Sequence, residues 1–300
     1  MPSVFSPHSP QTHSITAVFS LVLLIAAVVF LIVVAGVAYS TIRYRSRGVT
    51  ASEPRQVFGS SRLEILWTVL PLAIMTGLFI VTVRAMVSID APQDPPATPD
   101  LVITGHQWWW EARYPNGVVV PWDIHIPAGR RLLARIESGD VIHDFWVPSL
   151  ARKIDAVPGR AGFIWLQADS PGTYQGACSE FCGAEHAWMR FRVIAESQSD
   201  FDAWMSYEAR PYLDDVPGPD ERLFLAKCGD CHVRDTGKSP SLAHLASRET
   251  LGGGIQRNTS ENLMLWLTNP QAAKPGNRMP TVPLSPAERA SILAFLETLK

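Results

Sequence analysis

The chain has few cysteines and almost no net charge. Its 26 lysine and arginine residues nearly balance 28 aspartate and glutamate residues among 300, which gives a formal net charge of −2. The sequence therefore lacks the excess of basic residues that would indicate nucleic-acid binding. The four cysteines form two close pairs, Cys178 with Cys182 and Cys228 with Cys231. Each pair would close a very small disulfide ring, so the pairs indicate two cofactor sites rather than a disulfide framework.

Basic residues are absent from the first 42 positions, because the first one is Arg43. A secretory signal peptide would need a basic segment there, which disfavours that interpretation. Residues 15–39 carry no charge and exceed the ~20 residues that cross a bilayer, and residues 63–87 form a second apolar stretch. We therefore expect a transmembrane helical hairpin in residues 1–90, with spans at about 15–40 and 63–87.

The segment between the two spans is rich in arginine. It holds one acid, Glu53, and five basic residues: Arg43, Arg45, Arg47, Arg55 and Arg62. The positive-inside rule places this loop in the cytoplasm and the rest of the chain outside. A proline-rich stretch at 91–99 then predicts a stiff spacer between the membrane and the remaining domains.

Residues 178–189 concentrate soft metal donors. Cys178 and Cys182 offer thiolates, His186 an imidazole and Met189 a thioether, and His143 lies 35 residues upstream of Cys178. A single blue-copper centre would leave one thiolate over, whereas two coppers bridged by both sulfurs would use it. Zinc bound by two cysteines and two histidines is the alternative, but methionine is a poor zinc ligand. The pattern favours copper.

Short apolar runs separated by proline and glycine surround this motif. Predicted strands lie at 101–104, 118–120, 123–126, 132–136 and 163–167. Turn signals follow at 115–117, 158–159 and 171–172. This spacing predicts an antiparallel β-sandwich or barrel of the cupredoxin-like kind over residues 100–195.

The C-terminal part carries a Cys-x-x-Cys-His sequence, Cys228 to His232, which is typical of covalent haem c attachment. A zinc or redox role is the alternative, but the extracytoplasmic location favours haem. Residues 196–219 predict a short helix and a linker, and residues 220–300 a small all-helical domain. Met279, in an irregular loop, is the expected sixth iron ligand, because Met264 lies within a predicted helix.

The spacing His143, Cys178-x₃-Cys182-x₃-His186-x₂-Met189 resembles the binuclear CuA site of cytochrome c oxidase subunit II. Three further stretches resemble the same family: residues 64–71, 105–110 and 148–160. Residues 266–280 resemble class I cytochrome c. The whole chain thus looks like a subunit II with a fused cytochrome c, as in bacterial caa-type oxidases.

The resemblance implies a role for each copper donor. Cys178 and Cys182 bridge the two coppers, His143 and His186 each bind one copper, and Met189 is a weak axial ligand. A sixth residue, Glu180, is implied to bind copper through its backbone carbonyl, and its carboxylate is implied to reach a magnesium ion shared with subunit I.

Two residues outside the ligand set also match the family. Trp108 corresponds to the aromatic residue where electrons enter, although a tryptophan often serves only as core or interface packing. Glu64 corresponds to the glutamate at the mouth of a proton channel, although an acid at this position can simply be a solvated helix start.

The expected function is the electron-entry subunit of a respiratory haem–copper oxygen reductase, a cytochrome-c oxidase whose oxygen chemistry occurs in subunit I. The implied partners are subunits I and III and a cytochrome c or other donor, in a bacterial inner or plasma membrane that the chain crosses more than once. Two alternatives stay open: the CuA-bearing subunit of a nitric oxide reductase, and a membrane-tethered copper-delivery protein without a catalytic partner.

Overall fold

A computed structural model describes residues 5–45, 56, 58–92, 98–213, 215–233 and 239–300. The chain divides into two compact units, residues 13–89 and residues 1–12 with 90–300. Helix α1 spans Pro10–Arg43 and helix α2 spans Ser61–Ile89. Both are long and apolar enough to cross a membrane, and each extends a few residues beyond its predicted span. Of the predicted loop and spacer, Arg47, Glu53, Arg55 and residues 93–97 lie outside the described residues.

The β-domain of the second unit follows the proline-rich spacer in the chain. Ten strands form it: β1 (Leu101–His106), β2 (Trp109–Arg113), β3 (Val119–Pro121), β4 (Asp123–Pro127), β5 (Leu132–Ser138), β6 (His143–Trp146), β7 (Ile154–Ala156), β8 (Gly162–Leu166), β9 (Gly172–Cys178) and β10 (Arg190–Glu196). They build two five-stranded sheets, ordered β3-β2-β1-β5-β8 and β4-β10-β9-β6-β7. The cupredoxin-like sandwich is confirmed, and the five predicted strands are present. Strands β2, β6, β7, β9 and β10 were not predicted.

The expectation of purely antiparallel sheets is wrong at two pairs. Strand β5 runs parallel to β1, and β10 runs parallel to β4. The chain changes sheets between β4 and β5, so that β5 returns beside β1 in the same direction. Such crossovers depend on the order of strands in space, which local sequence patterns do not contain.

An aromatic cluster fills the space between the sheets. The ring centroid of Phe145 lies 4.7 Å from that of Phe191 and 5.5 Å from that of Trp110, and all three side chains are fully buried. Gly176 on β9 makes this packing possible, since a Cβ there would collide with the Phe191 ring. The cluster fixes β9 and β10, which flank the candidate metal loop, and β6, which carries His143.

Helix α3 (Gln198–Glu208) closes the β-domain, as predicted for a short helix after residue 196. The Trp204 ring stacks on the His125 ring with centroids 4.0 Å apart, which gives His125 a structural role in packing α3 on the β-domain.

The C-terminal domain is helical, as predicted. It contains α4 (Pro219–Lys227), α5 (Gly229–His232), α6 (Ser260–Thr268), α7 (Pro270–Ala273) and α8 (Pro286–Leu296). One feature was not predicted: a short pair of strands, β11 (Thr250–Leu251) and β12 (Gln256–Arg257). Ser285 caps α8 in a reciprocal capping box with Glu288. Phe224, Ile292 and Phe295 belong to its separate apolar core.

Candidate functional site

The two cysteine sulfurs of the predicted copper motif lie at the rim of the β-sandwich, 3.8 Å apart. Strand β9 ends at Cys178, and the loop that follows carries Cys182 before the chain returns in β10. Strand β6 begins at His143 and pairs with β9 at Phe145 and Cys178. The sheet thus brings the distant histidine to the cysteine loop.

Each sulfur has its own set of neighbouring donors. The Cys178 sulfur lies 3.9 Å from His143 Nδ1 and 3.2 Å from the backbone oxygen of Glu180. The Cys182 sulfur lies 3.6 Å from His186 Nδ1 and 3.7 Å from the sulfur of Met189. The four other predicted donors therefore divide evenly between the two sulfurs, with two donors beside each.

The centre is shielded from water. His143 and Met189 are fully buried, and Cys178 and Cys182 expose 6% and 3% of their surfaces. Soft sulfur donors with one buried imidazole and one partly buried imidazole fit copper better than a hard cation. The donor chemistry therefore fits two coppers.

Asp140 orients His143, and sequence reasoning missed it. Its Oδ1 lies 2.7 Å from His143 Nε2, which leaves Nδ1 directed at Cys178. The position of the His143 ring also requires a glycine at residue 105, because a Cβ on Gly105 would lie 2.9 Å from His143 Cδ2. Burial acts to lower the pKa of His143, but the hydrogen bonds and charges of Asp140 and Cys178 together outweigh it, and the pKa is raised overall. An acid three residues before a ligand histidine was the available sequence signal.

The Cys178 and Cys182 thiols lie in direct contact, with their sulfurs 3.8 Å apart. Their contact lowers the pKa of Cys178 and raises the pKa of Cys182. The hydrogen bond to His143 adds to the stabilisation of the Cys178 thiolate. The site thus presents a thiolate, the form in which cysteine binds metals.

Trp108 and Gln107 are attached to the same loop. The Trp108 indole donates a hydrogen bond to the Cys182 carbonyl at 2.9 Å, and the Gln107 amide donates to it at 2.7 Å. Trp108 therefore touches the backbone of a predicted bridging ligand directly.

The predicted accessory residues lie in different environments. The Glu180 side chain is exposed beside the copper loop, and its Oε1 accepts the Phe181 backbone N–H at 3.2 Å. Glu64 occupies the first turn of α2, also exposed, and its backbone carbonyl accepts the Thr68 hydroxyl at 2.8 Å.

A cavity of about 350 Å³, lined mainly by the C-terminal domain and on one side by the β-domain, brings the predicted haem residues together. Its lining includes Cys228, Cys231, His232 and Met279, together with apolar side chains such as Phe224 and Leu267. Met264 is not part of the lining. Within this cavity, His232 Nδ1 lies 2.9 Å from the Pro240 carbonyl, which leaves Nε2 free for iron.

A buried guanidinium provides a test of whether haem fits this cavity. Arg248 lines it, and its Nη2 donates to the carbonyls of Ser241 and Ala243 at 2.9 and 2.6 Å. Within the described part of the chain, its Nη1 has no hydrogen-bond partner. A guanidinium with one nitrogen unpaired beside an apolar cavity suits a flat apolar macrocycle with carboxylate substituents. Burial lowers the pKa of Arg248 to about 10, so it stays charged at neutral pH. Sequence reasoning missed this residue, because an isolated arginine carries no signal.

Three segments of this chain match models of known protein families. Family models match the transmembrane domain of cytochrome c oxidase subunit II at residues 5–85, its periplasmic domain at 118–196, and cytochrome c at 221–300.

Three curated relatives carry the name cytochrome c oxidase subunit 2. The one from Alkalihalophilus pseudofirmus is 34% identical and covers 99% of this chain and 91% of its own. Those from Bacillus sp. strain PS3 and Bacillus subtilis are 32% and 31% identical, covering 78% and 87% of this chain and 73% and 82% of their own.

The matched domains imply CuA copper for the β-domain and haem c for the C-terminal domain. They also imply that the two N-terminal helices anchor extracytoplasmic domains to a membrane. The chain belongs to the cytochrome c oxidase subunit II family, in a form that carries a C-terminal cytochrome c domain.

Proposed function

We propose that this chain takes electrons from an external donor at haem c, passes them to binuclear copper, and delivers them to subunit I, where oxygen is reduced. Both bound groups would supply one-electron transfer. The observation that carries the proposal is the even division of four donor atoms between two cysteine sulfurs 3.8 Å apart. A single-copper site would use only one of these sulfurs.

The β-sandwich holds the proposed copper donors in place. His143 starts β6 and Cys178 ends β9, so that strand pairing sets the distance between them. Asp140 fixes the His143 ring, and the loop carbonyl of Cys182 is tied by two side chains. A preset donor geometry keeps structural change small when one electron is gained or lost.

For the haem, we propose thioether bonds from Cys228 and Cys231 and iron ligation by His232 and Met279. All four line one cavity, and the Met279 backbone N–H is held by the Asn277 side chain at 2.8 Å. Met264 lies on α6 and does not line that cavity, which supports Met279 as the sixth ligand.

The accessory roles are also part of the proposal. Glu180 would offer its carboxylate to a magnesium ion shared with subunit I, consistent with its exposure. Glu64 would accept protons at the cytoplasmic end of α2. The arginine-rich segment between the spans would lie in the cytoplasm of a bacterial cell, with both ends of the chain outside. Membership of the subunit II family implies association with subunit I, and we propose subunit III as a further partner.

Rapid mixing of the purified complex with a reduced donor such as cytochrome c tests the order of transfer. Haem c absorbance should change before copper absorbance, and both before oxygen is consumed. Copper reduction that precedes haem reduction would contradict the proposed path.

The same preparation distinguishes the alternatives. Consumption of nitric oxide rather than oxygen would favour a nitric oxide reductase. Rapid loss of copper to a mild chelator would favour a copper-delivery protein, whereas the buried donors described above predict slow loss.

A further inference from the structure

The loop between α7 and the proposed iron ligand Met279 lies against the copper loop of the β-domain. We call residues 274–279 the clamp loop. Lys274 Nζ lies 2.9 Å from Glu185 Oε2, and the two side chains expose only 5% and 2% of their surfaces. Lys274 Nζ also lies 3.5 Å from the Trp108 carbonyl oxygen. A buried ion pair thus joins the two domains.

Arg278 adds a second contact from the same loop. Its guanidinium carbon lies 5.1 Å from the centroid of the Trp108 ring, and its Nη2 donates to the Gln107 side-chain oxygen. A cation over an indole face is attractive, especially where water is partly excluded. The backbone comes equally close, because a Cβ at Gly276 would lie 3.4 Å from Glu185 Cγ.

These contacts connect residues of both proposed cofactor sites. Glu185 immediately precedes His186, and Trp108 and Gln107 hold the carbonyl of Cys182. On the other side, Arg278 immediately precedes Met279. The clamp loop therefore links the loop of the proposed axial methionine to the loop of the proposed copper ligands.

A second set of contacts joins the β-domain and the cytochrome domain, away from the clamp loop. Arg192 of β10 binds Asp123 of the β-domain and reaches Glu249 of the cytochrome domain, with both N–O distances at 2.7 Å. Trp122 packs against Gly253, where a Cβ would lie 2.9 Å from the indole Cδ1. The haem cavity is lined by Trp108, Trp109 and Trp122 together with Cys231 and Met279.

We propose that the clamp loop keeps the cytochrome domain seated over Trp108, so that this surface serves the cytochrome of the same chain and is closed to a separate donor protein. An external donor then meets only the cytochrome domain. This inference rests on the proposed function, which makes Trp108 the point of electron entry. Covalent linkage raises the local concentration of the cytochrome domain, and the ion pair then selects one seated arrangement.

Hydroxyl-radical footprinting of the full chain, loaded with copper and haem, tests the inference, because mass spectrometry reads the oxidation rate of Trp108 itself. Lys274→Gln breaks the ion pair and leaves Glu185 buried without its cation, which is strongly unfavourable. The oxidation rate of Trp108 should rise above the wild-type rate, because the cytochrome domain that covers Trp108 lifts away. Lys300→Gln is the matched control, since it removes the same charge from an exposed position of the same domain. It should leave the rate unchanged.

Arg278→Gln provides a second variant that should not threaten folding, because Arg278 is exposed. It should raise Trp108 oxidation in the same direction. Unchanged oxidation in both variants, or an equal rise with Lys300→Gln, would overturn the inference.

The copper electron paramagnetic resonance spectrum of each variant separates this inference from the proposed function. An intact two-copper spectrum with no footprinting contrast would refute the clamp and leave the proposed function standing. A single-copper spectrum in the wild-type chain would refute the proposed function itself.

Discussion

Replacing Asp140 by asparagine should weaken copper binding by changing which ring nitrogen of His143 carries the proton. Asp140 Oδ1 accepts from His143 Nε2 at 2.7 Å, so that Nδ1 carries the lone pair that faces Cys178. An asparagine that keeps its oxygen toward the Gln107 backbone N–H would turn its amide donor to Nε2. The imidazole would then carry its proton on Nδ1, the form that cannot bind copper there.

The expected magnitude follows from the usual cost of losing such a supporting group. A loss of about 10–100-fold in metal affinity corresponds to ~1.4–2.8 kcal/mol. Competition with a chelator of known copper affinity measures it, with the loaded fraction read from the copper spectrum. Asp140→Ala should weaken copper binding less than Asp140→Asn. Alanine offers no hydrogen-bond donor to His143 Nε2, so the imidazole proton can still lie on Nε2 and leave Nδ1 available to copper.

Glu137→Gln is the matched control for a lost carboxylate in the same domain. Glu137 pairs with Arg135 at 3.0 Å on the partly exposed face of β5, where such pairs contribute little. The copper affinity of the Glu137→Gln variant should equal that of the wild type. Equal affinities for wild type and Asp140→Asn would refute the reasoning about His143.

Three further changes test other parts of the account. Met279→Leu should remove the low-spin, methionine-ligated signature from the haem c optical and paramagnetic spectra, whereas Met264→Leu should preserve it; the opposite result would assign the sixth ligand to α6. Arg248→Gln should lower the haem c midpoint potential in a redox titration, because a buried cation beside the cavity favours the reduced, less positive haem, and Arg289→Gln on α8 should not. Glu64→Gln should slow proton uptake and oxygen consumption by the complex while its copper spectrum stays unchanged; full turnover in this variant would leave Glu64 as a solvated helix start.

The proposed copper donors were predictable because five of the six lie within one short segment. The spacing from Cys178 to Met189 is local, and the donor types alone favour copper over zinc. The two apolar helices were equally visible, since length and lack of charge define them. The capping box at Ser285 was predictable for the same reason: it depends on residues three apart.

The residues that support the site were not predictable in this way. Asp140 matters only because the β6–β9 pairing places His143 beside Cys178, and Lys274 only because its loop meets Glu185, a residue 89 positions earlier. Strand β9 was missed because Gly176 weakens a strand pattern, although its missing side chain makes room for Phe191. The parallel pairs β1–β5 and β4–β10 likewise arise from a crossover between sheets, which local patterns do not record.

Electron paramagnetic resonance of the oxidised full chain, with copper and haem counted per chain, tests the central claim most directly. The account predicts about two coppers and one haem, with one unpaired electron shared between both coppers beside a low-spin haem signal. Cys182→Ser should abolish the shared-electron pattern, because it removes the sulfur that His186 and Met189 adjoin. A wild-type spectrum of a single isolated copper, with one copper per chain, would contradict the account.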